Sequence, residues 1–265
     1  IKGAGRSLVS DPHDFIRAND RTMPFLPWAH CYGQTGELFM YMAHGASMGI
    51  CRGIPYIQED LQLVQPTVLF GVPTLFKKVY DGFNTKMEES RPLVKFLMKK
   101  ALQLGHRKFD ETYELGPPLG LWERIQYSIL DRIVLKKARQ VFGGKLRGAV
   151  VGGAACPPDV IHFMDSIGTP LCEGYGLTET SPIIAVNTTE HRKIGTVGKP
   201  IGGVNVYIIK NNEEDGNNEV LARGHVGEIC CTGPNIMRGY HNNPQATDAA
   251  LSTRADDERL FHTGD

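Results

Sequence analysis

The chain has 265 residues, of which 41% are hydrophobic and 22% are charged, and a chain of this size and composition buries a large globular core. Its 29 basic residues balance its 29 acidic residues, so no global field recruits nucleic acid or an anionic membrane. We therefore expect no nucleic-acid partner, and we expect any bound nucleotide to be a small ligand.

Six cysteines occur, and none forms a C-x-x-C pair or joins a histidine at metal-ligand spacing: Cys31, Cys51, Cys156, Cys172, Cys230 and Cys231. They indicate reduced thiols in an intracellular protein, cytoplasmic or peripheral on a membrane. No apolar run of about twenty residues is present to span a bilayer. Because the chain begins at Ile1, we expect it to be a piece of a longer protein, so its N-terminal targeting signal, and with it the organelle, is unknown.

Short apolar runs alternate with amphipathic stretches through residues 1–190. The runs "TVLFGVP" and "LRGAVVGGAA" and the start of "TPLCEGYG" are typical of buried strands. Apolar periodicity predicts five helices between and around them, at 36–48, 73–87, 92–108, 119–142 and 157–167. This order predicts an α/β fold with a mostly parallel sheet flanked by helices.

The pattern changes in residues 191–265. Short strand candidates, "VNVYIIK" and "VGEICCTG", are separated there by polar and glycine-bearing turns. We expect a small antiparallel β-barrel portion. The sequence therefore predicts an α/β lobe at 1–190 and a β-rich part at 191–265.

The stretch "CEGYGLTETSP" follows a predicted strand and is rich in hydrogen-bonding groups. Ligands bind at the carboxyl ends of strands in open α/β sheets. Gly174 and Gly176 flank Tyr175 and allow close backbone approach, Thr178 offers a hydroxyl, and Glu179 offers a carboxylate suited to Mg²⁺. A tight glycine turn with Thr178 as a cap is the alternative explanation.

Two further loops resemble parts of a nucleotide site. In "VVGGAACPPD", a strand runs into Gly152 and Gly153 before a predicted helix, where unpaired backbone N–H groups would favour an anion or a flat ring. In "LFHTGD", Asp265 can accept both hydroxyls of a ribose. Each loop is also explained by an ordinary turn.

Six segments in order resemble the motif series of the adenylate-forming superfamily, which contains acyl-CoA synthetases, luciferases and the adenylation domains of peptide synthetases. They are "FLPWAHCYG", "VVGGAACPP", "EGYGLTETSP", "GTVGKP", "GEICCTGPNIMRGYHNNPQAT" and "RLFHTGD". The segments "SILDRIVLKKARQVFGGKLRGAVVGGA" and "GPNIMRGYHNNP" look most like long-chain fatty acid:CoA ligases. The resemblance implies the second lobe of the large adenylate-forming domain, without the upstream phosphate loop and the C-terminal domain.

The resemblance also implies a two-step reaction on ATP, Mg²⁺, a fatty acid and coenzyme A. The acid attacks the α-phosphate to give an acyl-adenylate and pyrophosphate, and the CoA thiol then displaces AMP. Tyr175 would stack on adenine with Gly152 and Gly153, and Thr178 would bind the α-phosphate. Glu179 would hold Mg²⁺ and Asp265 would bind the ribose.

His30, in "WAHCYG", matches the histidine that lines the carboxylate end of the acyl pocket in this family. Without the match, a histidine between Trp28 and Tyr32 is more often a core residue. Adenylation requires no proton abstraction from an ionised acid, so Glu37 and Glu173 are expected to be structural.

A basic set on the long helical region suggests a peripheral membrane contact, with a solvated helix face as the alternative because acidic residues are interspersed. Its members are Lys95, Lys99, Lys100, Arg107, Lys108, Arg132, Lys136, Lys137 and Arg139.

The sequence also leaves two alternative functions open. One is an acyl-ACP synthetase or another carboxylate-adenylating ligase, and the other is a non-catalytic nucleotide-binding fragment.

Overall fold

The computed structural model describes residues 15–189, 191–211, 218–254 and 258–265. Their Cα positions group into two compact units. Residues 16–174 and 187–198 form the first, here called the α/β unit, and the second, here called the β unit, includes 175–186 and 199–265. The division at residue 190 stays a prediction.

The α/β unit contains a parallel sheet built from the predicted apolar runs. Strands β3 (Val68–Gly71), β4 (Gly148–Val151) and β5 (Leu171–Tyr175) pair in parallel, with Val68 opposite Gly148 and Ala149 opposite Leu171. All eight residues of β3 and β4 are buried, as continuous apolar strands in a two-sided sheet require. A separate parallel pair joins β1 (Arg21–Thr22) to β2 (Ser47–Met48).

Helical segments surround this sheet. They are α1 (Cys31–Gly33), a π-helical segment (Gln34–Phe39), α2 (Met40–His44), a 3₁₀ turn (Ile54–Tyr56), α3 (Ile57–Val64), α4 (Pro73–Glu88), α5 (Pro92–Thr112), α6 (Leu121–Leu130), a second π-helical segment (Asp131–Leu135), α7 (Lys136–Gln140) and α8 (Pro158–Ser166). Proline opens α4, α5 and α8, where its missing N–H has no helical partner to lose. Within the ranges given above, no helix has the length and apolar character needed to cross a bilayer.

The core of the α/β unit lies between these helices and the sheet. Phe76, Phe142 and Met164 are fully buried in one apolar cluster. Helices α5 and α8 approach closely at Gly105, where an added Cβ would lie 1.9 Å from the carbonyl oxygen of Ser166. The absence of a side chain at this position permits the contact.

The β unit consists of antiparallel pairs. Strands β6 (Ala185–Val186) and β7 (Lys199–Pro200) form one, and a five-stranded sheet has the order β11-β12-β10-β8-β9. Its members are β8 (Asn205–Asn211), β9 (Asn218–Val220), β10 (Glu228–Thr232), β11 (Leu251–Thr253) and β12 (Arg259–His262). Asn243 caps the short helix α9 (Pro244–Ala250) through the N–H of Ala246. The predicted fold class, a parallel α/β sheet followed by an antiparallel β portion, is confirmed.

Candidate active site

Tyr32 ties together the carboxyl ends of two parallel strands. Its hydroxyl lies 3.2 Å from the carbonyl oxygens of Gly71, which ends β3, and of Val150 in β4. Gly152 directly follows β4, and a Cβ there would lie 3.3 Å from the Tyr32 ring. A glycine at 152 therefore leaves room for the ring at the strand ends.

The glycine pair after β4 differs in part from the expectation of unpaired N–H donors. The N–H of Gly152 donates to the carbonyl oxygen of Gly71 at 3.2 Å, which extends the sheet by one bond. That donor is consequently engaged and does not face a ligand. Gly153 has φ +82°, a left-handed conformation that glycine adopts without strain, and it turns the chain away from the sheet. Gly174, in β5, is half-buried.

In the β unit, Tyr175 and Asp265 are brought together from positions 90 residues apart in the chain. The Tyr175 hydroxyl donates to Asp265 Oδ2 at 2.5 Å. Burial, and the carboxylate that accepts this bond, raise the pKa of Tyr175, so its phenol remains protonated. The Asp265 carbonyl oxygen also accepts the N–H of Ile229 in β10 at 3.1 Å. An aromatic ring and a carboxylate are thus held side by side.

The chain after Tyr175 folds back on itself so closely that only glycine fits at 176. A Cβ on Gly176 would lie 1.7 Å from the carbonyl oxygen of Pro182, a backbone atom that cannot move aside. The Thr180 hydroxyl accepts the N–H of Leu177 at 3.0 Å and lies 2.9 Å from the same Pro182 oxygen. The Ser181–Pro182 peptide bond is cis.

Glu179 and Thr178 lie in the 3₁₀ turn Thr178–Thr180 that this fold-back forms. Thr178 is exposed, and Glu179 is half-buried. Glu179 Oε1 accepts the hydroxyl of Tyr240 at 2.8 Å, and this hydrogen bond is the main reason that the pKa of Tyr240 is raised. The backbone carbonyl of Glu179 accepts the N–H of Met237 at 2.8 Å.

Asn235 holds the other side of the turn. Its side-chain Nδ2 donates to the carbonyl oxygens of Thr180 at 3.0 Å and Ile183 at 2.9 Å. Both partners are acceptors, so the amide is oriented with its NH₂ group, which carries two donors, toward them. Segment 235–240 therefore fixes the position of the Glu179 backbone and side chain.

His30 stands at the start of α1 in the α/β unit. Its Nδ1 accepts the N–H of Tyr32 at 3.1 Å, so the side chain acts as the N-cap of the helical region that follows. His30 is exposed, and Nε2 is the second ring nitrogen available to a ligand.

The nine predicted site residues fall in both units. His30, Gly152, Gly153 and Gly174 belong to the α/β unit, and Tyr175, Gly176, Thr178, Glu179 and Asp265 belong to the β unit. Within the β unit, Tyr175 and Asp265 form a direct pair. Sequence reasoning assigned no site role to Tyr32, Asn235 or Tyr240, although the last two lie in the quoted stretch "GPNIMRGYHNNP".

Comparison with known proteins supports one family. The sequence profile described as AMP-binding enzyme matches residues 4–241. A long-chain-fatty-acid–CoA ligase, FadD15 of Mycobacterium bovis, is 33% identical over 94% of this chain and 38% of its own length. The chloroplastic long-chain-fatty-acid–[acyl-carrier-protein] ligase AEE15 of Arabidopsis thaliana is 28% identical over 94% of this chain and 36% of its own length.

The fold also resembles that of solved structures. The ATP-bound MatB of Rhodopseudomonas palustris matches with a TM-score of 0.64 at 23% identity, and the match covers 100% of this chain and 40% of that one. The chain spans less than two fifths of the length of the two curated relatives described above.

Proposed function

This chain belongs to the family of AMP-binding enzymes, and from that premise we propose that the protein containing it converts a long-chain fatty acid to its acyl-adenylate and then to acyl-CoA. The match to the AMP-binding enzyme profile and the similarity to a long-chain-fatty-acid–CoA ligase confirm the resemblance to this branch of the family. The substrate and the acyl acceptor belong to the proposal.

One observation supports the nucleotide half of the proposal more than any other. The 2.5 Å hydrogen bond from Tyr175 to Asp265 joins an aromatic ring to a carboxylate. A ring can stack on adenine, and a carboxylate beside it can accept the two hydroxyls of a ribose.

The residues near the phosphates fit the chemistry of adenylation. A carboxylate oxygen of the acid attacks the α-phosphorus, the bond to the bridging oxygen breaks, and pyrophosphate leaves. Thr178 is an exposed residue, and its hydroxyl would bind the α-phosphate. Glu179 offers a carboxylate, the hard oxygen ligand that Mg²⁺ prefers, and Tyr240 orients it. Mg²⁺, when bound, supplies positive charge against the phosphates.

His30 orients the acid. Since Nδ1 is used as the helix cap, Nε2 is the nitrogen that would meet the acyl carboxylate. In the second step the CoA sulfur attacks the acyl carbon and AMP leaves as the mixed anhydride bond breaks. A carrier-protein thiol is the alternative acceptor, because the plant relative is named as a ligase for an acyl-carrier protein.

The test uses the full-length protein. ATP–pyrophosphate exchange with acids of increasing chain length reports the first step, and thioester formation with CoA or a carrier protein reports the second. We expect Glu179→Gln to lower exchange at least about 100-fold, on the order of 3 kcal/mol of transition-state stabilisation. Glu219→Gln, at an exposed position of the β unit, is the matched control. Normal exchange in Glu179→Gln would remove this residue from the mechanism.

A membrane surface is the proposed source of the acid. The structure pairs several residues of the basic set with acidic partners, among them Lys95 with Glu88 and Arg139 with Asp131, which weakens the argument from charge alone. An apolar ridge is the stronger support. Its side chains are 45–80% exposed on α6 and comprise Leu121, Trp122, Ile125 and Ile129. A tryptophan at one end and the exposed Arg132, Lys136 and Lys137 after the ridge are typical of an interfacial helix.

Vesicles of mixed neutral and anionic lipid test this contact. We expect the full-length protein to cosediment with them and Ile125→Glu to do so several-fold less. Leu63→Glu, at an exposed position of α3, should bind like the wild type. Equal binding by both variants would exclude α6 as the contact.

A further inference from the structure

Glu228, Cys230 and His262 meet on one face of the five-stranded sheet of the β unit. Glu228 and Cys230 are two residues apart on β10, so their side chains leave the same face. Cys230 stands directly opposite His262 of β12 in the antiparallel register. One ligand-type atom from each residue lies within 4.8 Å of the other two. We propose that this triad is a binding site for a zinc-class divalent metal ion, separate from the Mg²⁺ role of Glu179.

The two distances from His262 Nδ1 to the other ligand atoms are close to those of a tetrahedral zinc site. His262 Nδ1 lies 3.4 Å from Cys230 Sγ and 3.2 Å from Glu228 Oε2. Ordinary zinc bond lengths at a tetrahedral angle separate a sulfur and a nitrogen ligand by about 3.6 Å and a nitrogen and an oxygen ligand by about 3.3 Å. The two separations that involve His262 Nδ1 are therefore within a few tenths of an ångström of those in a zinc site, and the third pair, Cys230 with Glu228, lies within 4.8 Å.

The surroundings also suit a metal ligand set. Ser252 Oγ lies 2.8 Å from His262 Nε2, so it can accept a hydrogen bond from Nε2–H, and this tautomer leaves the Nδ1 lone pair for the metal. Glu228 Oε1 meanwhile accepts the N–H of Gly264 at 2.9 Å, and Oε2 remains directed toward His262. Thiolate, imidazole and carboxylate together favour zinc over magnesium or calcium.

Metal binding replaces a proton. Burial and the neighbouring Glu228 raise the pKa of Cys230 to about 12, so the sulfur carries its proton in the metal-free protein. When the sulfur–metal bond forms, the S–H bond breaks and the proton passes to solvent. Without a metal, the same three groups satisfy one another by hydrogen bonds, which is the alternative explanation of the cluster.

The site adjoins the turn that ends in Asp265. The Gly264 N–H bond to Glu228 connects the carboxylate to this turn, and Thr263 Oγ1 donates to the Ile229 carbonyl at 2.7 Å. Occupancy of the site would fix Glu228 and stabilise the turn. The sequence does not reveal the triad by spacing, because 32 residues separate Cys230 from His262.

Cobalt(II) in place of zinc provides the test. The full-length protein, first treated with a chelator, is titrated with Co²⁺ in a thiol-free buffer. We expect one equivalent to give the visible bands of tetrahedral Co²⁺ and a near-ultraviolet sulfur-to-cobalt band, both bleached by Zn²⁺. Cys230→Ala should lose the sulfur band. Cys231→Ala, the adjacent buried cysteine whose side chain leaves the opposite face, should keep it.

A second variant keeps the proposal testable if Cys230→Ala fails to fold. Ser252→Ala retains all three ligands and should weaken Zn²⁺ binding on the order of tenfold or more, since it removes only the partner of Nε2. No tetrahedral cobalt spectrum, or equal loss of the sulfur band in Cys230→Ala and Cys231→Ala, would overturn the proposal. The readout is spectroscopic and independent of acyl activation, so its failure is distinct from failure of the proposed function.

Discussion

Asn235 tests how the turn that carries Glu179 is held in position, and Asn235 itself has no proposed contact with substrate. Its side-chain amide spans the carbonyl oxygens of Thr180 and Ile183, on either side of the fold-back that presents Glu179. Asn235→Ala removes both donors and leaves two carbonyls without them. Asn235→Asp is the sharper change, because it places a carboxylate oxygen against the same two acceptors.

The magnitude follows from the two bonds. At 3.0 and 2.9 Å both have ordinary length, and each contributes about 1 kcal/mol net, so Asn235→Ala should cost about 2 kcal/mol of unfolding free energy. Asn235→Asp should lower the unfolding free energy by more, because the negative carboxylate oxygen repels the two partly negative carbonyl oxygens. A displacement of the turn of about 1 Å would shift Glu179 and lower ATP–pyrophosphate exchange on the order of 10- to 100-fold.

Urea unfolding and exchange kinetics on the full-length variants measure the two effects. Asn243→Ala is the matched control: it removes the cap of α9 at a cost of about 1 kcal/mol and leaves the fold-back unaltered. We expect Asn243→Ala to lose about half as much stability as Asn235→Ala and to keep normal exchange. If Asn235→Ala also exchanges at the wild-type rate, Asn235 stabilises the β unit and does not position Glu179.

Three further predictions follow from other contacts. Tyr175→Phe keeps the ring and removes the hydroxyl bonded to Asp265, so AMP affinity measured by calorimetry should fall about tenfold. Tyr175→Ala should lose a further 1–3 kcal/mol of stacking, about 5- to 150-fold in affinity, and equal affinities of the two variants would contradict separate roles for ring and hydroxyl. Gly105→Ala should lower the unfolding free energy by about 3 kcal/mol, because its Cβ meets the Ser166 carbonyl. Gly82→Ala, with open space around it in α4, should raise the unfolding free energy by up to about 1 kcal/mol. Stabilisation by both substitutions would show that α5 and α8 can separate without cost. His30→Asn should preserve the helix cap and the stability yet slow adenylation, whereas His30→Ala should lower both the stability and the adenylation rate. Full activity in His30→Asn would leave His30 only the capping role.

Local signals explain which parts of the fold could be predicted. The strand at 148–151 is four consecutive buried residues, and glycines and prolines mark its end, so apolar pattern and turn chemistry sufficed. The helix predicted at 119–142 is present at 121–140, although residues 131–135 within it are π-helical. Apolar spacing does not distinguish that change of hydrogen bonding from a continuous α-helix.

The contacts that organise the candidate site depend on the path of the chain. Tyr32 and Val150 are 118 residues apart, and Asn235 and Thr180 are 55 residues apart. A tyrosine or an asparagine in a loop has many possible partners, and no spacing rule selects the one that folding supplies. The glycines were easier to identify, because left-handed backbone at Gly153 is a local demand.

Glu37 shows that a residue expected to be structural can still control stability. It lies in the π-helical segment Gln34–Phe39 and is fully buried, with Oε2 accepting the N–H of Leu26 at 3.2 Å. Burial raises the pKa of this carboxyl to about 8 from an ordinary value of 4.5, while the backbone hydrogen bonds lower it by less. At neutral pH the folded protein therefore holds a proton that the unfolded chain has released.

The sign of the pH dependence follows from that difference in bound protons. Between pH 4.5 and 8 the folded state binds one proton more at Glu37, so its contribution to the unfolding free energy falls by about 1.4 kcal/mol per pH unit as pH rises, and it levels off above 8. Glu37→Gln removes this slope. The unfolding free energy of Glu37→Gln minus that of the wild type should therefore increase from pH 5 to pH 8. Glu89→Gln, at an exposed position, should follow the wild-type curve. Parallel unfolding free energies for wild type and Glu37→Gln across this range, measured in urea, would mean that the Glu37 carboxyl ionises in the folded protein as readily as in the unfolded chain.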